Sequence, residues 1–134
     1  MYNMTGSYFD YSEVLKYAKK LGIASDELTN WLKEFLLTQA QRVVAEAKKR
    51  QRAVGAIDTG AMINSWAFED VKVRGKTLEV TIYNPMEYAS FIEFGQRSYT
   101  GKYLLTIGID TVQRALPNRF KSEWNKFLKN KGLV

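Results

Sequence analysis

Asp58-Thr59-Gly60-Ala61-Met62-Ile63-Asn64-Ser65-Trp66 and, after two strand-like runs, Asn84-Pro85-Met86-Glu87-Tyr88-Ala89-Ser90-Phe91-Ile92-Glu93-Phe94-Gly95 decide how this chain is read. Asp58 or Thr59 can cap a short helix over 60–66. Phe68, Val71 and Val73 lead to a turn at Gly75-Lys76. Leu78, Val80 and Ile82 then alternate with Thr77, Glu79, Thr81 and Tyr83, which predicts a half-buried strand and an antiparallel hairpin. Asn84-Pro85 ends it, because proline cannot donate to a ladder. Glu87 to Phe94 reads as a short amphipathic helix with Tyr88, Phe91, Ile92 and Phe94 toward a core and Gly95 as its stop.

Outward from this stretch, the pattern is helical. Val14, Leu15, Ala18 and Leu21 predict a helix over 11–21, capped by Ser12 and stopped by Gly22. Leu28, Trp31, Leu32, Phe35, Leu36, Gln39, Val43, Val44 and Ala47 predict a long helix over 26–52, about 40 Å in length, with Ser25 or Asp26 at its start. Its core-facing part is expected over 28–44, with the basic end projecting into solvent or a neighbour. Tyr103 to Ile107 is ambiguous. Helices are expected over 109–116 and 118–130, separated at Pro117. Residues 1–10 lack a period and read as a flexible arm, and residues 95–102 as a mobile loop. Together this is an α+β fold: a long N-terminal helix and a C-terminal helix packed on a small antiparallel sheet, in one domain over 1–134.

Composition narrows the chemistry. The 134 residues are 46% hydrophobic and 25% charged, with no cysteine and no histidine. A Ser-His-Asp triad and a Cys/His zinc site are therefore excluded. Neither an apolar run of membrane length nor a leader-like start is visible, so the chain reads as made and used in the cytosol, or in an assembly formed there. The net charge of +6 gathers in Lys48-Lys49-Arg50-Gln51-Arg52 and in Arg114 to Lys131. Such clusters serve nucleic-acid contact, or sit in the last turns of helices as macrodipole partners.

Other patterns are weaker. Arg74-Gly75-Lys76-Thr77 echoes the end of a phosphate-binding loop, but Asp70 stands where glycine is needed and the setting is a hairpin. Asp58 with Asp70-Val71-Lys72 has the loose spacing of a metal-dependent nuclease, but Asp58 is better explained as a helix cap and Asp70 and Lys72 as the solvent face of a strand. Glu87 and Glu93 lie six apart and do not share a helix face. Glu93 reads as a surface glutamate or as a buried acceptor for a neighbour's arginine. Tyr2, Tyr8, Phe9 and Tyr11 suit an interface or a fold-back onto the domain.

The Thr59-Gly60-Ala61-Met62-x-x-Ser65 start, the hairpin, Tyr88-Ala89-x-x-Ile92-Glu93-Phe94-Gly95 and the basic-polar loop after it resemble the tail-completion, or head–tail joining, proteins of tailed phages and prophages. The chain departs from that family at Lys102-Tyr103-Leu104-Leu105, where members often carry a proline-containing run. The resemblance implies a structural, non-enzymatic subunit of the virion neck, assembled in the host cytoplasm and needing no cofactor. It implies a homo-oligomeric ring, a hexamer being one option, in contact with connector, tail-terminator or tail-tube proteins and with non-specific DNA contact in the channel. A basic nucleic-acid-binding module is the alternative. The expected interface residues are Glu93, Gln96, Arg97, Ser98, Tyr99, Thr100 and Lys102 around the loop, Tyr8 and Phe9 in the arm, and Lys48, Lys49, Arg50 and Arg52 at the helix end.

Overall fold

A computed structural model describes residues 2–55, 60–86, 88–96 and 99–134, with backbone only for residues 2–9, Phe91, Gln96 and Tyr99. Its elements are β1 (Tyr2–Asp10), α1 (Ser12–Lys20), α2 (Ser25–Ala53), β2 (Ala67–Phe68), β3 (Lys72–Arg74), β4 (Thr77–Asn84), α3 (Ala89–Phe94), β5 (Gly95–Gln96), β6 (Tyr99–Thr100) and α4 (Leu104–Asn130). The class is α+β, as the periodicity predicts.

β4 is the centre of the sheet. β1 pairs with it antiparallel on one edge, and β2 and β3 pair on the other. Its alternating Leu78, Val80 and Ile82 are at most 2% exposed. Val80 and Ile82 meet Leu36, Ala40 and Val43 of α2 and Ile109 and Val112 of α4 around a small apolar cavity. The Gly75-Lys76 turn joins Arg74 to its partner Thr77. Gly75 has φ +61°, the left-handed conformation that such a two-residue turn requires. This segment is a hairpin and not a phosphate cradle.

Several elements differ from expectation. Residues 2–10 are not a free arm: their backbone forms β1, from Tyr2 opposite Asn84 to Asp10 opposite Thr77. The register shifts between Thr5 and Ser7. That shift breaks the alternation by which a strand is recognised. At α1, Ser12 does not cap. Asp10 Oδ1 accepts the Ser12 hydroxyl at 2.7 Å and the Ser12 amide at 2.9 Å. These bonds, the side-chain one foremost, hold the Asp10 carboxyl below its usual range. α2 starts at Ala24 without a side-chain cap, and the Asp26 carboxylate accepts the Glu27 amide at 2.9 Å. The expected short helix over 60–66 is only a pair of tight turns, with Asn64 and Ser65 amides donating to Gly60 and Met62 carbonyls. Asp58 and Thr59 lie outside the described residues.

α2 and α4 run antiparallel along each other. Gly108 permits their closest approach: a Cβ there would stand 3.1 Å from the Val43 carbonyl oxygen. The buried face of α2 extends past residue 44 to Ala47 and Gln51, because α4 and Trp66 cover that end. Trp66 Nε1–H donates to Gln51 Oε1 at 3.0 Å. α4 also runs unbroken through Pro117, where a separation is expected from sequence. A mid-helix proline costs about 3 kcal/mol. Its C-terminal half carries Phe120, Trp124 and Phe127, which pack on Trp31 with ring centroids 5.2–5.7 Å apart. At about 0.5–1.5 kcal/mol per aromatic pair beyond simple burial, this cluster outweighs the proline. Lys131 adds an ion pair to Glu27 and lies over the Phe127 ring.

Candidate functional site

The two informative motifs meet the rest of the chain through backbone chemistry. Asn84 is fully buried. Its amide nitrogen donates to the Met62 carbonyl at 2.8 Å, and its oxygen accepts the Met86 amide at 3.1 Å. One side chain thus ties the 60–66 turns to the end of β4 and starts the path into α3.

α3 is oriented differently from the reading that placed its aromatics inward. Ala89 and Glu93 are buried and Ile92 half-buried, whereas Tyr88 and Phe94 are exposed. Glu93 is only 1% exposed and faces the start of α4. Its carboxylate accepts the Leu105 amide at 2.8 Å, the Thr106 amide at 2.9 Å and the Thr106 hydroxyl at 2.7 Å. Tyr103 occupies the cap position of α4 and offers no side-chain cap. Glu93 supplies that cap from another element, placing negative charge at the positive end of a long helix. It is neither a surface glutamate nor positioned for a neighbour's arginine.

The described residues between α3 and α4 are held by the same corner. Gly95 ends α3 with φ +80°. Residues 95–102, read from sequence as a loop, contain a ribbon in which Gly95 pairs with Thr100 and Gln96 with Tyr99. The Lys102 and Tyr103 amides then donate to the carbonyls of Ile92 and Glu93, at 2.8 and 3.0 Å. Gly101 is where this return passes α3. An added Cβ would lie 2.6 Å from the Glu93 carbonyl oxygen and the Phe94 carbonyl carbon, so only glycine fits.

Tyr103 emerges from this clamp at φ +51°, among the described residues the sole non-glycine with positive φ. Holding that conformation costs about 1–3 kcal/mol and needs support from its surroundings. Its ring is 44% exposed and meets Phe94, 54% exposed, edge to face at 6.4 Å. Ile107, one turn along α4, is also exposed. A locked corner therefore presents an apolar surface to solvent.

Residues 15–95 match the family described as "Bacteriophage HK97-gp10, putative tail-component". The chain belongs to this family. No curated protein and no solved structure shows a significant match.

For this phage tail component, the expected interface residues are distributed unevenly. Gln96, Tyr99 and Thr100 lie in the ribbon, and Lys102 in the return to α4. Arg97 and Ser98 lie outside the described residues. Tyr8 and Phe9 stand in β1 opposite Glu79 and Leu78. Lys49 and Arg52 are exposed and Lys48 and Arg50 half-buried in the last turns of α2. Because α2 and α4 are antiparallel and cross at Ala47 and Gly108, this basic end lies at the same end of the molecule as the corner. Gly101, Tyr103 and Ile107 are additions that sequence reasoning missed. A glycine inside a loop was their only signal.

Of the nuclease pattern, Asp70 and Lys72 are described and Asp58 lies outside the described residues. Asp70 is exposed, and Lys72 pairs with Glu69 at 3.7 Å. Among the described residues there is no group of three acidic side chains close enough to hold a metal ion. No helix there is long and apolar enough to cross a membrane.

Proposed function

We propose that this phage tail component is a structural subunit of the neck that joins the head connector to the tail, acting as a ring of identical copies and catalysing nothing. The observation that carries the proposal is the corner built on Glu93. It spends a buried carboxylate and a strained tyrosine on holding Phe94, Tyr103 and Ile107 outward to solvent. Exposed aromatics on a rigid support are the residue types that anchor protein interfaces. The basic end of α2 beside them suits an acidic neighbour or the DNA that passes through a neck. Assembly in the host cytoplasm and residence in the virion follow from that role.

Complementation tests it. Phage lacking the native chain are supplied with Phe94→Ser, Tyr103→Ser or the wild type, and particles are examined by electron microscopy. Separate heads and tails are expected with either variant, provided each variant remains folded. Normal particles from a folded variant that carries both changes refute the proposal. Binding to double-stranded DNA that weakens steeply with salt and disappears when Lys48, Lys49, Arg50 and Arg52 are changed to Ala would instead favour the nucleic-acid reading.

A further inference from the structure

The sheet has two edges of different character. One carries β2 and β3, of two and three residues, interrupted at 69–71 and set among the exposed charges of Glu69, Asp70, Lys72 and Arg74. Short strands, a break and charged side chains keep an edge from pairing with another chain. The other edge is β1, nine residues long and paired on its inner side with β4 from Tyr2 to Asp10. Among the described residues no strand pairs on its outer side. From Tyr2 to Phe9 it contains no charged residue and no proline. Its one irregularity is the register shift, which leaves Gly6 without a partner on β4. A long neutral edge of this kind is a template for a further strand.

We infer that β1 pairs antiparallel with β1 of a second copy of this chain, about a two-fold axis at Gly6, making one continuous sheet across both copies. The bulge selects the partner and the register. A regular strand laid along β1 loses pairing where Gly6 is inserted, whereas a copy centred on the same residue brings its own bulge to the same point. Glycine there also lets two backbones approach closely. In that register Thr5 stands opposite Ser7 of the second copy and Met4 opposite Tyr8, pairings of hydroxyl with hydroxyl and apolar with aromatic that favour a sheet. Asp10, the one charge in the strand, falls at the end, opposite Tyr2. Copies of a chain with a charge of +6 repel, and a neutral edge lets them meet without setting like charges against each other. A two-fold contact closes at two copies, so it adds to the contact that makes a ring and does not replace it.

Two measurements on the full chain test this. Sedimentation of the wild type is expected to show a dimer with half-pairing below about 1 mM, and a chain that stays monomeric up to that concentration overturns the inference. The chain has no cysteine, so single cysteines report the register. Thr5→Cys and a tagged Ser7→Cys are mixed under mild oxidation. Directly opposite residues lie about 4.5–5.5 Å apart, within disulfide reach, while diagonal ones lie about 7–8 Å apart. The mixed disulfide is expected to form at least about ten-fold faster than Thr5→Cys or Ser7→Cys links to itself, and than Thr5→Cys links to Val73→Cys on the guarded edge. A dimer in which the mixed pair does not exceed these controls about ten-fold overturns the inference, because another surface then holds the copies. Where a cysteine variant fails to fold, sedimentation of the wild type still decides. The pairing is argued from β1 alone, so its failure leaves the neck reading standing, and failed complementation at the corner leaves the pairing standing.

Discussion

Replacing Glu93 by alanine removes the cap of α4 together with a fully buried charge. Two backbone amides and one hydroxyl lose their acceptor, and the Leu105 amide has no route to water because Leu105 is buried. Hydrogen bonds to a charged group contribute about 1.5–3 kcal/mol each, but three bonds to one carboxylate do not add. N-cap losses alone cost about 0.5–2 kcal/mol. We expect Glu93→Ala to destabilise the chain by about 3–4 kcal/mol, a large share of the 5–15 kcal/mol typical of a domain. Glu93→Gln keeps one acceptor and sets its amide against an N–H donor, so about 2 kcal/mol is expected; Thr106→Val should cost about 1 kcal/mol. Urea unfolding followed by tryptophan fluorescence measures all three. Hydrogen exchange at Leu105 and Thr106 locates the effect, since those amides should lose protection first. A Glu93→Ala variant within about 0.5 kcal/mol of wild type, the range of an ordinary surface change, refutes the capping argument.

Gly101→Ala should destabilise by about 1–3 kcal/mol through backbone collision with α3, while Gly75→Ala, with open space around it, should cost only the about 1–2 kcal/mol of its left-handed backbone; unfolding curves of the two separate sterics from conformation. Tyr103→Gly should be neutral or stabilising by up to about 1 kcal/mol, since it relieves the positive φ, yet it should lower neck assembly in complementation; a clear loss of stability would show that the ring packs rather than projects. The lowered Asp10 carboxyl contributes stability that is present above its ordinary value of 3.8 and fades as pH falls below it, so acid unfolding of Asp10→Asn should be flatter in that window than that of wild type.

The helices and β4 were legible because burial imposes a period on them. Leu28 to Ala47 repeat at three and four, and Leu78 to Ile82 alternate. β1 was not legible, because its register shift between Thr5 and Ser7 disrupts the alternation and its partner lies about seventy residues away. The continuity of α4 through Pro117 was hidden for a related reason. Local chemistry argues for a break, and only the aromatic packing of Phe120, Trp124 and Phe127 on α2 decides against it.

The corner shows why the chain's most distinctive residues look chemically silent. A glutamate in an apolar run has no local partner from which its role can be read. Glu93 bonds twelve and thirteen residues downstream, and Asn84 bonds twenty-two residues upstream. In each case the partner includes a backbone group, so no complementary residue type marks it in sequence. Gly101 is likewise defined by what approaches it and not by its neighbours in the chain. The motifs therefore encode how α3, the ribbon and α4 are held against one another. The apolar surface of Phe94, Tyr103 and Ile107 is the consequence of that hold. If that surface docks a neighbour as proposed, its role depends on rigidity, so damage to Glu93 or Gly101 should reach assembly without touching any exposed side chain.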